Sequence, residues 1–252
     1  MDKVLKVLVV LFLVNGYCYS QVINVESMRR KSDSVKWSGS ASLNVSLIKN
    51  QNDIFRISTK AHIQYKNEKN LWLFINDLSF QQLDKSSFEN NGTQHLRYNR
   101  VLTPKIKMEA FLQSQYDAIA QIDFRGLVGL GPRFKLNSND DYRFYLGTLI
   151  MYEHEKASEI EEQTITKDFR GSSYLSFSLY PRETISVIST SYYQPLMKDF
   201  SDYRFSSEIT LLITIYEKLA FKTTFTYNYD AVPVTNVSKT RYELTNGLLY
   251  SF

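Results

Sequence analysis

The sequence is short of most things that would give it obvious chemistry. It has one cysteine, three histidines, five prolines and nine glycines in 252 residues. The single cysteine, Cys18, lies inside an N-terminal stretch that reads as a cleavable leader, so the mature chain has no disulfide, thiol nucleophile or thiolate metal site. There is no fixed-spacing calcium loop and no phosphate-cradling loop: Gly126, Gly129 and Gly131 stand in a strand pattern with no helix after them. No apolar run approaches the ~18 residues of a membrane-spanning helix, and no stretch has a 3.6-residue apolar period. Charge of one sign is also missing. Thirty basic and 26 acidic residues are scattered along the chain with no basic block, which argues against a nucleic-acid partner.

The leader occupies residues 1–20. Lys3 and Lys6 supply its positive start, Val7 to Val14 its apolar centre, and Cys18 and Ser20 the small residues before a cleavage site. Tyr17 stands where a lipoprotein signal needs a small residue. Residues 21–36 form a short polar segment, and residues 37–252 the main domain.

What the chain has in abundance is aromatic side chains, 18 Tyr and 16 Phe, set in long stretches of period two. Phe55, Ile57, Thr59, Ala61, Ile63 and Tyr65 alternate with Arg56, Ser58, Lys60, His62 and Gln64. Similar alternation runs through 142–153, 203–216 and 219–229. Period two with β-branched and aromatic enrichment means strand. About twelve segments qualify, near residues 37–49, 54–66, 71–81, 93–101, 105–117, 121–136, 142–153, 168–180, 184–194, 203–216, 219–229 and 241–252. Many reach ten residues or more, against the usual ~5–6 of soluble strands and the ~9–11 of strands that cross a bilayer. The pattern predicts an all-β fold: a transmembrane antiparallel up-and-down β-barrel of about 12 strands in a bacterial outer membrane.

Two further signals agree. Connections after even-numbered strands are short, whereas the stretches 82–92, 154–167, 195–202 and 230–240 after odd strands read as longer polar loops, as expected with both ends of the barrel periplasmic. The last strand alternates back from Phe252 through Tyr250 and Leu248, a pattern resembling the signal read by the outer-membrane barrel assembly machinery. That machinery, outer-membrane lipid and lipopolysaccharide are the expected partners; nothing in the sequence sets an oligomeric state. Tyr65, Tyr142, Tyr152, Tyr180, Tyr227, Tyr229 and Tyr250 are expected in interfacial girdles.

The face opposite the apolar one should line the lumen. Its basic members include Arg56, Lys60, Lys107, Arg125, Arg133, Arg143, Arg170, Arg204, Lys222 and Arg241. Its acidic members include Glu109, Asp117, Asp123, Glu153, Asp168, Glu208 and Glu243. Near balance predicts ion pairs across the interior and a narrow or occluded pore, where a channel for acidic sugars would show a positive excess. His62 and His95 are expected to face the lumen and His154 to open the acidic loop Glu153, Glu155, Glu159, Glu161, Glu162 and Asp168. That loop lacks a dedicated metal-ligand spacing. A lipid-acting barrel enzyme needs a serine beside a histidine at a lipid-facing groove, and neither His62 nor His95 has one close in sequence. No catalytic, cofactor or metal residue is assigned. Pro132, which has no ladder donor, suggests a bulge or strand shift before Arg133.

Several stretches resemble the YdiY-like family of domain-of-unknown-function proteins, typified by salt-stress-induced outer-membrane proteins, in a Bacteroidetes-type form. They are Val22 to Arg29, Trp37 to Ser40, Gln113 to Asp117, Arg125 to Arg133, Phe144 to Gly147 with Tyr152 and Glu153, and Gly247 to Phe252. The resemblance implies an outer-membrane barrel of unassigned activity and offers no catalytic residue to carry over. The functional expectation is therefore a non-enzymatic envelope or stress-related barrel, or a narrow small-solute pore. The alternatives are an adhesion or ligand-binding barrel acting through loops 82–92, 154–167 and 230–240, and a lipid-acting enzyme.

Overall fold

The computed structural model describes residues 36–49, 53–83, 87–118, 120–158, 163–234 and 237–252. The expected leader, residues 1–20, and all of the expected polar segment but Lys36 lie outside them. Twelve strands follow in chain order: β1 (Trp37–Lys49), β2 (Asp53–Lys66), β3 (Asn70–Leu83), β4 (Ser87–Val101), β5 (Ile106–Asp117), β6 (Ile122–Ser138), β7 (Tyr142–Ser158), β8 (Gln163–Arg182), β9 (Ile185–Leu196), β10 (Asp199–Tyr216), β11 (Leu219–Asp230) and β12 (Thr240–Ser251). Each pairs antiparallel with its neighbours in sequence, and β1 pairs with β12 to close the barrel. Closure satisfies every strand edge internally, which a bilayer requires because it offers no hydrogen-bond partner.

The seam is built from the end of the chain. Ser40 to Val45 pair with Ser251 to Asn246, and Phe252 exchanges backbone bonds with Gly39 at 3.1 and 3.0 Å. Gly39 is needed there: a Cβ on it would stand 2.5 Å from the Phe252 ring, which lies against the strand. Leu248, Tyr250 and Phe252 all face outward and are about half exposed.

Period two sorts the side chains inside out relative to a soluble protein. On β2, Ile57 and Ile63 are exposed while Arg56, His62 and Gln64 are buried. Leu96, Leu112, Val128, Leu130, Ile150 and Leu175 continue the exposed apolar surface. In water such a surface is a liability; in hydrocarbon it is solvated. Aromatic pairs mark both rims. Trp37–Tyr65 (4.9 Å) and Trp72–Tyr98 (4.5 Å) lie near the end that carries Trp37 and Phe252. Tyr193, Tyr203 and Tyr229 stack in a row at the other end, 5.4 and 5.5 Å apart. Tyr180 departs from its expected girdle position: it shares the inner face of β8 with the buried Ser176 and Ser178, and its ring packs under the Arg143 guanidinium.

Most of the described residues in three of the expected long loops, 82–92, 154–167 and 195–202, are strand. β3 runs to Leu83 and β4 starts at Ser87; β7 runs to Ser158 and β8 starts at Gln163; β9 and β10 are separated only by Met197 and Lys198. The physical reason is that backbone pairing continues where the outward side chains turn polar, so hairpins project past the hydrocarbon band while the apolar alternation stops. Residues 231–239 remain the long connection. The connections 67–69, 102–105, 139–141, 183–184 and 217–218 share one end of the barrel, the turn end, opposite the loop end. Pro132 produces no shift: β6 and β7 hold one register from Leu130↔Ile150 to Arg133↔Gly147, and the irregularities fall at Ile122/Phe124 and Lys135/Asn137.

Candidate functional site

The lumen carries the chemistry. At the loop end, Arg125, Arg170 and Arg204 interlock with four carboxylates. Arg204 donates to Glu153 at 2.6 Å, to Glu155 at 3.2 Å and to Asp230 at 2.9 Å. Arg170 donates to Glu153 at 3.1 Å and to Asp202 at 3.0 Å. Arg125 is bound to Glu155 through two of its nitrogens. Because Arg204 sits on β10 and Glu153 on β7, the lattice spans the interior rather than lying flat on the wall. Arg241 of β12 approaches Asp117 of β5, almost diametrically opposite, at 3.7 Å. Arg56 on β2 reaches Glu243 on β12 at 2.5 Å. Buried guanidinium–carboxylate pairs have this planar, multidentate form because each desolvated charge must keep its hydrogen bonds.

Midway along, Lys60 meets Asp77 at 2.9 Å, and Glu208 and Lys222 line the same cavity. Towards the turn end the fully buried Glu109 gathers Arg97 at 3.3 Å, Arg133 at 3.6 Å and the Tyr174 hydroxyl at 2.5 Å. Tyr174 reaches it from β8, with β6 and β7 between. The ring passes over Gly147, its cross-strand partner, where a Cβ would lie 2.1 Å from the ring edge. Tyr174 also belongs to an apolar cluster inside the barrel with Phe111, Leu127, Leu149, Met151 and Tyr192. Strands β5 to β9 therefore bring both apolar side chains and ion-paired charges into the lumen, while β1 to β3 and β10 to β12 line it mostly with polar and charged side chains.

Of the residues expected to line the lumen, Arg56, His62, Glu109, Asp117, Arg125, Glu208, Lys222 and Arg241 are buried on the inner face; Lys60, Arg143 and Glu243 are half-buried there. Asp123 is placed differently. It is exposed, because the register slip between Ile122 and Phe124 breaks the alternation that carries Arg125 inward. His154 is a strand residue beside Phe124, and the expected acidic loop divides: Glu153 and Glu155 point inward, Asp168 pairs with Lys198 at 2.5 Å, and Glu159, Glu161 and Glu162 lie outside the described residues.

Neither buried histidine faces lipid. His95 has both ring nitrogens engaged: Arg97 donates to Nε2 at 3.2 Å, so Nδ1 carries the proton and donates to Gln113 at 2.8 Å. His62 Nδ1 lies 3.4 Å from Ser40 Oγ, a pairing created by the β1–β2 register across 22 residues of sequence. It points into the lumen, away from any lipid-facing groove. That contact, the apolar lumenal cluster and Asp202 and Asp230 escape a reading by sequence. The register of β1 against β2 is the signal for Ser40.

The side chains leave small spaces at mid-barrel and larger ones at the ends. Cavities of about 30 Å³ beside His95 and Tyr174 and about 70 Å³ beside Lys60 and Lys222 occupy the middle. A cavity of this kind needs about 10–15 Å³ to hold one water molecule. The loop-end cavity measures about 210 Å³ and the turn-end one about 450 Å³.

Comparison with solved structures places the fold among outer-membrane barrels. The NanC porin matches with a TM-score of 0.53 at 5% identity, covering 85% of this chain and 98% of that one. An outer-membrane channel from Pseudomonas putida F1 matches at 0.54 and 9% identity, covering 92% and 100%. The translocator domain of the autotransporter NalP from Neisseria meningitidis matches at 0.50 and 8% identity, covering 85% and 86%. At such identities the likeness is one of fold. No curated protein matches the sequence. A model of the family described as "Protein of unknown function, DUF481" matches residues 38–252, essentially the whole barrel, and the chain thus belongs to this YdiY-like family.

Proposed function

We propose that the protein is a narrow small-solute pore of the outer membrane, non-enzymatic, that rests closed on its own lumenal side chains. It would reach the membrane through a leader cleaved after Ser20, and the outward-facing Leu248, Tyr250 and Phe252 at the seam would be presented to the barrel assembly machinery. The turn end would then be periplasmic, with the rims seated among outer-membrane lipid and lipopolysaccharide.

One observation carries the reading. Among the described residues the interior is obstructed by side chains alone, with every described strand in the wall itself; ion pairs cross it from β10 to β7 and from β12 to β5, beside the apolar cluster on β5 to β9. Side chains held by charge can separate while the apolar cluster stays packed against its own strands, so a path opens without unfolding the barrel. The fold shared with a porin and a channel supports the same reading. A barrel acting through long loops finds less support, since most of the expected loop length is hairpin strand.

The test is solute efflux from proteoliposomes. The wild-type barrel should leak small ions slowly. Arg204→Gln combined with Arg241→Gln, which cuts two cross-lumen links, should raise efflux about tenfold or more while the barrel stays folded. Equal, negligible efflux from both folded proteins would favour a purely structural envelope role.

A further inference from the structure

Overall charge balance in the lumen conceals an axial separation. The loop-end cavity is lined by Arg125, Arg170 and Arg204 against Glu155, Asp168, Asp202 and Asp230, three cations to four carboxylates. The turn-end cavity is lined by Lys66, Lys107, Arg133, Lys135 and Arg143 against Asp140, five cations to one carboxylate. These five stand on inward positions of β2, β5, β6 and β7, in phase with the buried His62, Glu109 and Gly147. They are therefore distinct from outward-facing lysines that would meet headgroups at a membrane rim.

The cationic side chains are also held in place. The Arg133 guanidinium lies 3.8 Å from the centre of the Tyr145 ring, and Arg143 lies 5.7 Å from that of Tyr180. Behind Arg133, the one carboxylate of Glu109 is shared between Arg97 and Arg133. A concave site with low-dielectric walls and one sign of charge focuses its field on its contents. Its volume of about 450 Å³ falls in the range of small-molecule sites.

We infer that the turn-end vestibule is a binding site for a small dissolved polyanion bearing carboxylate or phosphate groups. The guanidinium of Arg143, a planar fork of donors over the Tyr180 ring, suits a planar oxyanion, while Lys66, Lys107 and Lys135 supply point charges around it. The inference extends the pore reading but does not need conduction, because binding is measured on the closed barrel.

The experiment is calorimetric titration of the purified, folded barrel in nonionic detergent at low salt with citrate, with pyrophosphate, and with sucrose as a neutral control. Saturable binding of citrate or pyrophosphate and none of sucrose is expected, weakening as salt is added. Lys107→Gln and Arg143→Gln should each weaken the anion about tenfold. Lys218→Gln, which removes the same charge from an exposed turn at the same end, should leave affinity unchanged. Folding of each variant is checked by its mobility on unboiled gels, and Lys135→Gln replaces any that does not fold. Absence of anion binding, affinity unchanged in the vestibule variants, or an equal loss in Lys218→Gln would overturn the site. Since efflux is not part of the readout, the site can fail while the pore stands, and the reverse.

Discussion

Glu109 shows at the scale of one residue how the lumen is held. Its carboxylate has no solvent exposure and receives two guanidiniums and a phenol. Neutralising it strands Arg97 and Arg133 in a low-dielectric interior, and breaking such a buried pair typically costs about 3–5 kcal/mol. Glu109→Gln should therefore lower unfolding stability in urea by a similar amount, and Glu109→Gln with Arg97→Met should recover part of the loss. A double variant no better than the single one would show that Arg97 does not depend on Glu109. At this scale the sequence is legible where polar and apolar residues separate cleanly. Arg56, Lys60 and His62 can be read as inward because Ile57, Thr59 and Ala61 stand between them. Leu127 and Leu149 cannot, because β6 and β7 are apolar on both faces there and period two loses its contrast. Asp123 is misread for another reason: a register slip is a property of two strands, and alternation within one strand cannot reveal it.

At the scale of the element, the barrel depends on a seam made by its last residues. Phe252 contributes two backbone bonds to Gly39 and a ring that covers it. Gly39→Val would push against that ring, and overpacking of this kind costs about 1–3 kcal/mol. The variant should lose its folded, fast-migrating band on unboiled gels at a lower temperature than wild type; an unchanged transition would remove the seam from the account. The β10–β11 turn offers a test of opposite sign. Glu217 has a φ of 33° in the two-residue connection to Lys218, and glycine takes positive φ without steric penalty. Glu217→Gly should raise stability in urea unfolding by a few tenths to about 1 kcal/mol. Strand number and order are legible because each strand is long and its neighbours lie next to it in sequence. The hairpin extensions are not, since polar residues such as Thr164, Thr166 and Lys167 read as loop although their backbones pair with β7.

For the whole molecule, twelve strands set a lumen wide enough to need filling and narrow enough for single side chains to cross. Arg204 and Arg241 make the crossings at the loop end, Tyr174 nearer the turn end, and cations outnumber carboxylates in the lining of the turn-end vestibule. Net charge alone could not show this, because the excess of one end cancels in the sum. These crossings, rather than the wall, are proposed to keep the barrel shut. Single-channel recording in planar bilayers tests this most directly, with wild type compared against Arg204→Gln/Arg241→Gln at equal protein and matched insertion. Wild type should open rarely or not at all, and the variant should show frequent, discrete conductance steps. A folded, inserted variant as silent as wild type would contradict the proposal.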